Sequence, residues 1–462
     1  MVKKNNSKEN DEKSDLHCAL HEFQPDILPN LRKDLLKWYD ENQRVLPWRT
    51  AAKKEKNPNK RGYAIWVSEI MLQQTQVATV IKYYENWMSK WPTMEDLAQA
   101  TLDEVNQAWA GLGYYSRGRR LWEGAKKVVS EHNGELPRNS EALEKLLPGV
   151  GKYTSNAIAS IAFGQTVGIV DGNVIRVISR LRAIGADVGQ NETLNMIWKN
   201  ANTLVDPDRP GDFNQSLMEL GATICSPRTS PTCKLCPVRN YCLVKKNGAA
   251  DIEDSRAMNM MIENCNLCLE KNIDRNSTDP ILDYPQKRKK TKVTEKANLV
   301  FIIQENEDYF PLVRRPETGL LANLYEFPSI ELEDAGMTVP DLEFVKNILK
   351  QEFNLDDDFT FLKSHGQVDH KFSHISQKYF VWSLNTKLDQ SFKPKNKKVN
   401  VEHVRQQDEV LDEKYPMSTA MKKCWTQYRR GGKYNNKRER EMENQPSIQQ
   451  FFAKKCKKQN ME

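Results

Sequence analysis

The sequence predicts two folded domains of different class, an all-α domain followed by an α+β domain. A chain of 462 residues is longer than a single domain usually is. Over residues 31–220 the apolar side chains recur at helical spacing, and Gly or Pro interrupts them at intervals. From about residue 297 the pattern changes to β-type runs, such as 299–303 and 379–382, around one amphipathic helix over 341–353.

Changes in composition mark the domain boundaries. We expect a disordered N-terminal segment at 1–27, the helical domain at 28–244, a polar linker at 245–296, the α+β domain at 297–421 and a basic disordered tail at 422–462. Within the helical domain, the apolar run Val167 to Val170 is the one short strand that the pattern predicts.

Composition also excludes some classes of protein. The longest uncharged stretch, 153–170, holds too many polar residues for a membrane-spanning helix. Residues 1–16 lack the apolar region of a secretory signal, so we expect no secretion. The net charge is +7, and residues 422–440 carry eight basic side chains against one acid. This uneven distribution favours a nucleic-acid partner.

Residues 147–153, LPGVGKY, lie between two predicted helices and contain Gly149 and Gly151. These glycines allow a tight turn that points main-chain N–H groups outward at the start of a helix, which suits a DNA phosphate. An ordinary turn between two helices is the alternative.

Two acids stand out by their surroundings. Asp171 lies just before a helix expected to begin near Val174, where it is a candidate catalytic carboxylate or simply the N-cap. Glu69 has apolar neighbours that would raise its pKa if the side chain faces inward. A solvated helix face is the alternative for Glu69.

Four cysteines, Cys225, Cys233, Cys236 and Cys242, crowd into one short loop. In a chain without a secretory signal this favours a metal site over disulfides. Four thiolates suit either zinc or a 4Fe-4S cluster, and the spacing does not choose between them.

Several of these motifs together resemble the MutY family of adenine DNA glycosylases in its eukaryotic form. The matching segments are 68–77 (SEIMLQQTQV), 111–117 (GLGYYSR), 147–154 (LPGVGKYT), 170–174 (VDGNV) and the cysteine loop. The resemblance covers about 31–242, with a looser continuation over 297–427. It implies a helix-hairpin-helix glycosylase domain with a 4Fe-4S cluster and a Nudix-like domain that recognises 8-oxoguanine.

The resemblance implies a role for each residue of the catalytic site. Glu69 matches the general acid and Asp171 the ionised carboxylate that stabilises the sugar cation, with Asn173 orienting Asp171. Tyr153 occupies the position where the bifunctional relatives carry a Schiff-base lysine. A phenol forms no imine, so we expect a monofunctional glycosylase.

The resemblance also implies contacts to an everted nucleotide and its flanks. Gln74, Thr75 and Tyr114 match the residues that fill or wedge the base stack, although Tyr114 suits a core aromatic equally well by composition. Arg117 is expected at a phosphate or as a solvated charge. The full set expected to contact DNA is Gln74, Thr75, Tyr114, Arg117, Gly149, Gly151 and Lys152.

The cysteine loop departs from the family pattern, because seven residues rather than six separate Cys225 from Cys233. The superfamily favours a 4Fe-4S cluster over zinc here, in a structural and DNA-binding role. In the linker, Cys265 and Cys268 resemble part of a zinc site that His21 or Cys18 would complete. An unoccupied thiol pair is the alternative.

In the second domain, Phe372, Ser373 and His374 resemble the loop that recognises 8-oxoguanine. Oxidation turns the N7 acceptor of guanine into an N–H donor, which a short polar side chain such as Ser373 distinguishes. A histidine satisfied within a strand turn is the alternative for His374. The metal-binding helix of active Nudix hydrolases is absent from the sequence, so we expect no pyrophosphohydrolase activity.

The tail contains a pattern that resembles a PCNA-binding peptide, formed by Gln445, Ile448, Phe451 and Phe452. Scattered apolar residues in a disordered tail are the alternative.

The prediction is therefore a monomeric base excision repair enzyme that removes adenine mispaired with 8-oxoguanine or guanine in double-stranded DNA. Its expected partners are PCNA and other repair proteins bound through the linker. We expect a nuclear location, with a mitochondrial form as a second candidate. The alternatives are an endonuclease III-like glycosylase/lyase and a non-enzymatic PCNA-docking adaptor for DNA damage.

Overall fold

The fold is that of a computed structural model, which divides into two compact units, Met1–Lys290 and Thr291–Glu462. The residues that the structure describes are 19–227, 229–247, 265–268, 279–286, 293–304, 309–332, 338–353, 355, 361–372, 374–386, 401–405 and 415–430. In this described part, no helix has the length and apolar character needed to cross a membrane.

The regular elements in the described part of the first unit are helices, as the apolar spacing predicts. Its helices are α1 Leu28–Asn42, α2 Pro47–Lys54, α3 Pro58–Leu72, α4 Val77–Lys90, α5 Met94–Gln99, α6 Leu102–Trp109, α7 Ser116–Glu131, α8 Ser140–Leu146, α9 Lys152–Phe163, α10 Gly172–Leu181, α11 Asn191–Leu204, α12 Pro210–Thr223 and α13 Leu243–Asn247.

The central helix of this unit is α3, which is buried over most of its length. It starts at the N-cap Asn57, whose side chain accepts hydrogen bonds from two main-chain N–H groups, followed by Pro58 at the first helical position. α3 packs against α9, and Gly62 permits this approach, because a Cβ there would lie 2.7 Å from the ring of Phe163. The C-terminal end of α3 and the N-terminal end of α9 therefore lie in the same region.

The predicted strand at Val167 to Val170 is wrong, because these residues adopt no regular secondary structure. They form part of an irregular connection between α9 and α10. The connection is nevertheless buried at residues 168–170, so side chains of neighbouring helices take the place of a sheet partner.

The expected disorder of residues 1–27 is wrong for the described part, 19–27. Two short 3-10 helices form here, and Phe23 packs into the core formed by α1, α10, α11 and α12. The guanidinium carbon of Arg182 lies 4.5 Å from the centre of the Phe23 ring. Two expected linker residues, Leu267 and Ile281, are buried in the same core, so parts of the predicted linker belong to the first unit.

The second unit has the predicted α+β composition. Its elements are β1 Thr294–Gln304, β2 Tyr309–Arg314, β3 Tyr325–Glu326, β4 Ser329–Leu332, α14 Leu342–Phe353, β5 Phe361–Lys371, β6 Ile375–Asn385, β7 Val401–Arg405 and α15 Thr419–Arg429. One sheet has the order β4-β1-β6-β5, in which β1 and β6 run parallel, and the other has the order β3-β2-β7.

Strand β1 forms the centre of this unit because both of its faces are buried. Val300 and Ile302 point to one core, and Leu299 and Phe301 to the other, as expected from the alternation of side chains along a strand. Helix α14 covers the second core, and α15 contributes to the first. The predicted domain end at residue 421 is therefore wrong, since α15 continues past it and buries Cys424.

Candidate active site

A cavity of about 590 Å³ opens in the first unit among α2, α3, α9, α10 and α12. All four residues predicted for catalysis, Glu69, Tyr153, Asp171 and Asn173, line it. Glu69 on α3 precedes Tyr153 on α9 by 84 residues, so the packing of α3 against α9 and α10 brings the four residues together.

Glu69 faces inward from α3 and is 5% exposed, so the alternative of a solvated helix face is wrong. Burial raises the pKa of its carboxyl to about 7. The hydroxyl of Tyr153 donates a hydrogen bond of 2.7 Å to Oε2 and opposes this rise, whereas the negative charge of Asp171 adds to it. A carboxyl in this environment holds a proton close to neutral pH.

Asp171 is the N-cap of α10, so the capping interpretation is confirmed, yet the same carboxylate lines the cavity. Its Oδ1 accepts a hydrogen bond of 2.7 Å from the N–H of Val174, and its Oδ2 accepts one of 2.8 Å from Nδ2 of Asn173. Burial raises the pKa of Asp171, and these hydrogen bonds oppose the rise. The start of α10 also favours a negative charge here.

Arg176 connects this carboxylate to the cysteine loop. Its Nη2 donates to Oδ1 of Asn173 over 2.9 Å, and its Nε donates to the carbonyl of Cys225 over 2.7 Å. The amide of Asn173 is thereby held with its nitrogen toward Asp171, as the predicted orienting role requires.

A buried charged cluster at the cavity wall was not predicted. Glu219 on α12 is fully buried, accepting hydrogen bonds from Arg44 and Arg49 at 2.6 and 2.8 Å, and Nε of Arg49 donates to Gln215 over 3.2 Å. The two arginines precede Glu219 by 175 and 170 residues. Since local patterns cannot show such pairing, the only available signal is an arginine next to the apolar segment 46–48.

The loops around the cavity mouth present the residues predicted to fill the base stack. Gln74 and Tyr114 both have left-handed backbones, with φ of 55° and 48°, an uncommon conformation for residues other than glycine. Gln74 and Thr75 line the cavity, and Tyr114 is 44% exposed. The alternative of a core aromatic is therefore wrong for Tyr114.

Arg117 departs from both expectations, because its side chain is neither a solvated charge nor placed to bind a phosphate. It is buried, and its two terminal nitrogens donate to the carbonyls of Ile70, Met71, Gln73, Leu112 and Gly113 and to the hydroxyl of Thr75, at 2.6–3.2 Å. Burial lowers its pKa to about 10. The side chain ties the Gln74 loop to the Tyr114 turn instead.

The predicted hairpin lies between α8 and α9, where Gly149 has a φ of 75°. Gly151 is the N-cap of α9, and no side chain caps this helix end. The geometry suits a phosphate at the start of α9. Lys152 is exposed, with its ammonium 4.3 Å from the centre of the Trp198 ring.

The four loop cysteines surround one small space beside α10. Nη1 of Arg180 lies 3.2 Å from Sγ of Cys225, and Sγ of Cys242 donates to the carbonyl of Arg180 over 3.3 Å. Four thiols around one space can supply the ligands of zinc or of a 4Fe-4S cluster.

The extra residue of the cysteine loop is absorbed between Cys225 and Cys233. The hydroxyl of Ser226 donates to the carbonyl of Thr229 over 2.8 Å, which closes a local turn. Arg228 lies outside the described residues.

A second group of metal-ligand type joins the N-terminal segment to the predicted linker. His21, Cys265 and Cys268 have ligand atoms within 4.8 Å of one another. Nε2 of His21 lies 3.3 Å from Sγ of Cys268, and Nδ1 lies 2.8 Å from the carbonyl of Arg182. Of the two residues predicted to complete this site, the structure places His21 there, and Cys18 lies outside the described residues.

In the second unit, the predicted recognition residues lie at the turn between β5 and β6. The ring of Phe372 packs edge-on against that of His370, at 4.7 Å between centres, and the main-chain N–H of Phe372 donates to Ile375 over 2.8 Å. His374 is exposed. Ser373 lies outside the described residues, as do the four residues of the predicted PCNA peptide, Gln445, Ile448, Phe451 and Phe452.

Comparison with known proteins identifies both units. Residues 67–203 match the family model of the HhH-GPD superfamily of base excision DNA repair proteins, and residues 299–427 match that of the NUDIX domain. These matches confirm the predicted helix-hairpin-helix and Nudix-like fold classes.

The similar proteins include adenine DNA glycosylases of animals and fungi. The Rattus norvegicus enzyme is 48% identical over 372 residues, covering 76% of this chain and 70% of the relative. The Schizosaccharomyces pombe enzyme is 39% identical over 390 residues, covering 79% and 83%. A solved thermostable thymine-DNA glycosylase is 30% identical, covers 48% of this chain and 99% of its own, and has a TM-score of 0.40. These relatives show that this chain belongs to the adenine DNA glycosylase family, which confirms the predicted base excision of adenine.

Proposed function

We propose that this glycosylase hydrolyses the N-glycosidic bond of adenine paired with 8-oxoguanine or guanine, with Glu69 as general acid and Asp171 as the carboxylate that stabilises the sugar cation. The observation that carries this proposal is the presence, in one cavity, of a buried acid with a pKa of about 7 and a second acid held by two hydrogen-bond donors.

The two acids meet opposite chemical demands. Adenine is a poor leaving group as an anion, so a proton must be delivered to a ring nitrogen as the bond breaks. Positive charge develops at the same time on the deoxyribose and is stabilised by a fixed negative charge. Glu69 is suited to hold the proton, because burial disfavours its ionised form. Asp171 is suited to hold the charge, because the N–H of Val174 and the amide of Asn173 donate to its anionic form.

Tyr153 supports a monofunctional reaction. Its hydroxyl donates to Glu69, and burial together with the charges of Glu69 and Asp171 raises its pKa well above the ordinary value. The phenol therefore stays protonated. Because it has no amine, it cannot form an imine with the sugar. A strand-cleaving step of the lyase type would need an amine at this position.

We assign recognition of the base opposite adenine to the second unit. The exposed turn containing His374 follows a strand whose end is stiffened by the His370–Phe372 ring contact. With Ser373 between them, Phe372 and His374 offer an aromatic face and short polar groups. The N7–H of 8-oxoguanine, which guanine lacks, would be recognised by such a group.

A 4Fe-4S cluster is the cofactor that we propose for the first unit, with Cys225, Cys233, Cys236 and Cys242 as ligands. The convergence of the four cysteines on one space and the family of the chain support it. When bound, the cluster would cross-link the cysteine loop and hold it against α10. It would take part in no redox step of the reaction. For His21, Cys265 and Cys268 we propose zinc, which binds mixed sulfur and imidazole ligands.

The sequence alone supports several further proposals. The tail would bind PCNA through Gln445, Ile448, Phe451 and Phe452, and the linker would bind other repair proteins. The protein would be a monomer located in the nucleus, with an additional mitochondrial form. Binding of the full chain to PCNA, with Phe451→Ala and Phe452→Ala together as the matched variant, tests the first of these.

The decisive experiment measures adenine release under single-turnover conditions from duplexes that contain A opposite 8-oxoguanine, A opposite G and C opposite 8-oxoguanine. We expect release from the first two only. Glu69→Gln should bind the duplex and slow release by about 10²-fold or more, whereas Glu123→Gln, at an exposed helix position, should not. A normal rate in Glu69→Gln would refute the catalytic assignment. Borohydride trapping of the wild-type protein on DNA would refute the monofunctional one.

The specificity assignment is tested with Ser373→Ala and His374→Ala in the full chain. We expect both variants to keep activity on A opposite G while losing about tenfold of the preference for A opposite 8-oxoguanine, in line with the loss of one discriminating hydrogen bond. An unchanged preference in both variants would remove the recognition role from this turn.

A further inference from the structure

The connection that ends at Asp171 is buried without belonging to a helix or strand. Gly168, Ile169 and Val170 are all buried, and their main-chain N–H and C=O groups need hydrogen-bond partners away from water. In a sheet a neighbouring strand would supply these partners. No strand lies in the described part of this unit.

Asparagine side chains from three helices act as the missing partner. Asn214 on α12 donates to the carbonyl of Val167 over 2.8 Å and accepts from the N–H of Ile169 over 3.1 Å. The Asn214 amide thereby bonds on both sides of residue 168, as the N–H and C=O of one residue in a neighbouring strand would.

Gly168, between these two groups, is held by the other two asparagines. Asn156 on α9 donates to its carbonyl over 2.8 Å, and Asn202 on α11 accepts from its N–H over 2.9 Å. Four main-chain groups of this stretch thus bond to asparagine side chains, whereas the N–H of Val167 donates to the carbonyl of Gln165 over 2.9 Å.

The three asparagines differ in access to water. Asn214 is 1% exposed and Asn156 is buried, whereas Asn202 is exposed. Water can replace the Asn202 side chain, but it has little access to the groups that Asn214 and Asn156 satisfy. Loss of a buried partner leaves a main-chain group unsatisfied, which costs more than loss of an exposed one.

Close packing removes the remaining freedom of the connection. A Cβ at Gly168 would lie 2.6 Å from the carbonyl carbon of Ala201 and 2.8 Å from its oxygen, both in the main chain of α11. The connection therefore runs in direct contact with α11, three residues before Asp171.

We propose that Asn214 and Asn156 are positioning residues for adenine release, which hold the 167–170 connection and thereby set the place of the Asp171 carboxylate. This inference rests on the role proposed for Asp171 above. A displacement of about 1 Å at a reacting group can cost about 10²-fold in rate. The hydrogen bonds of Asn214 bracket the connection on both sides of Gly168, so we expect this residue to contribute the most.

The first test measures single-turnover adenine release by Asn214→Ala, with the rate corrected for the fraction of active enzyme. We expect a fall of about 10- to 100-fold, with duplex affinity unchanged because neither asparagine reaches the cavity lining. Asn202→Ala is the matched control, for which we expect a change of less than about threefold. Equal rates for Asn214→Ala and wild type would overturn the proposal.

A double-mutant cycle separates positioning from a general loss of structure. If Asn214 acts through Asp171, Asn214→Ala should cause no further loss of rate in the Asp171→Asn background. A loss as large as in the wild-type background would overturn the proposal. Where Asn214→Ala folds poorly, Asn156→Ala enters the same cycle, with the same two outcomes. A normal rate in Asp171→Asn alone would refute the proposed function, which this cycle therefore distinguishes from failure of the present inference.

Discussion

The raised pKa of Glu69 makes a prediction about stability as well as catalysis. Its pKa moves from an ordinary value of 4.5 to about 7 on folding. Each pKa unit is equivalent to about 1.4 kcal/mol, so the buried carboxylate destabilises the folded state by about 3 kcal/mol once it is fully ionised. The folded protein binds this proton more tightly than the unfolded chain, so the contribution to stability is full below pH 4.5 and is lost as the pH rises through about 7.

Replacement of Glu69 by glutamine should remove this cost. The amide has the shape of the protonated acid, and its oxygen can accept the hydrogen bond from Tyr153. We expect Glu69→Gln to exceed the wild type in unfolding free energy by about 3 kcal/mol at pH 8 and by less than about 1 kcal/mol at pH 5. Glu69→Gln would then be less active but more stable than the wild type, as expected where function requires an unfavourable charge.

The assay is chemical denaturation of the full chain at the two pH values, followed by tryptophan fluorescence. Eight of the ten tryptophans lie at or before Trp198 and therefore in the first unit. Two results would refute the reasoning: equal stability of both proteins at pH 8, or a gain in Glu69→Gln that is as large at pH 5 as at pH 8. The first would mean that the carboxyl is not buried, and the second that the gain has no link to ionisation.

Three further predictions follow from the same region. Tyr153→Phe removes the hydrogen bond that lowers the pKa of Glu69, so the alkaline limb of the pH profile of adenine release should move up by about one pH unit; an unmoved limb would contradict this. Arg117→Lys leaves several buried carbonyls without a donor and should lower the unfolding free energy by about 2–4 kcal/mol. Arg119→Lys on the same helix is the control and should lower the unfolding free energy by less than about 0.5 kcal/mol. Glu219→Gln should destabilise the protein at pH 8, because hydrogen bonds and charges of Arg44 and Arg49 outweigh the burial of Glu219 and lower its pKa. The loss should shrink as the pH falls below 4.5 through the lowered pKa of Glu219; a pH-independent loss in thermal unfolding would speak against this.

Local patterns were sufficient for the class of each unit. The helical spacing over 31–220 and the alternation along 299–303 reflect which side of each element is buried, and burial of one side is a property of the element itself. The same holds for the hairpin glycines, since Gly149 needs a backbone conformation that few other residues adopt.

The errors fall where distant parts of the chain meet. Val167 to Val170 has the composition of a strand, but asparagines of three helices bond to four of its main-chain groups. Arg117 has the sequence context of an exposed charge, yet it lies among carbonyls of two loops. Residues 19–27 and 422–429 are polar enough to suggest disorder, and they are ordered because Phe23 and Cys424 complete cores built elsewhere.

The sequence by itself determined which chemical groups this glycosylase carries, because residue types such as Glu69, Tyr153, Asp171 and the four loop cysteines are recognisable in their motifs. Only the tertiary structure decided their working state. The pKa of Glu69, the hydrogen bonds of Asp171 and the buried Glu219 cluster depend on exclusion of water and on partners up to 175 residues away. Burial and distance in space are set by the packing of α3, α9, α10 and α12, and they have no signature in the order of residues along the chain.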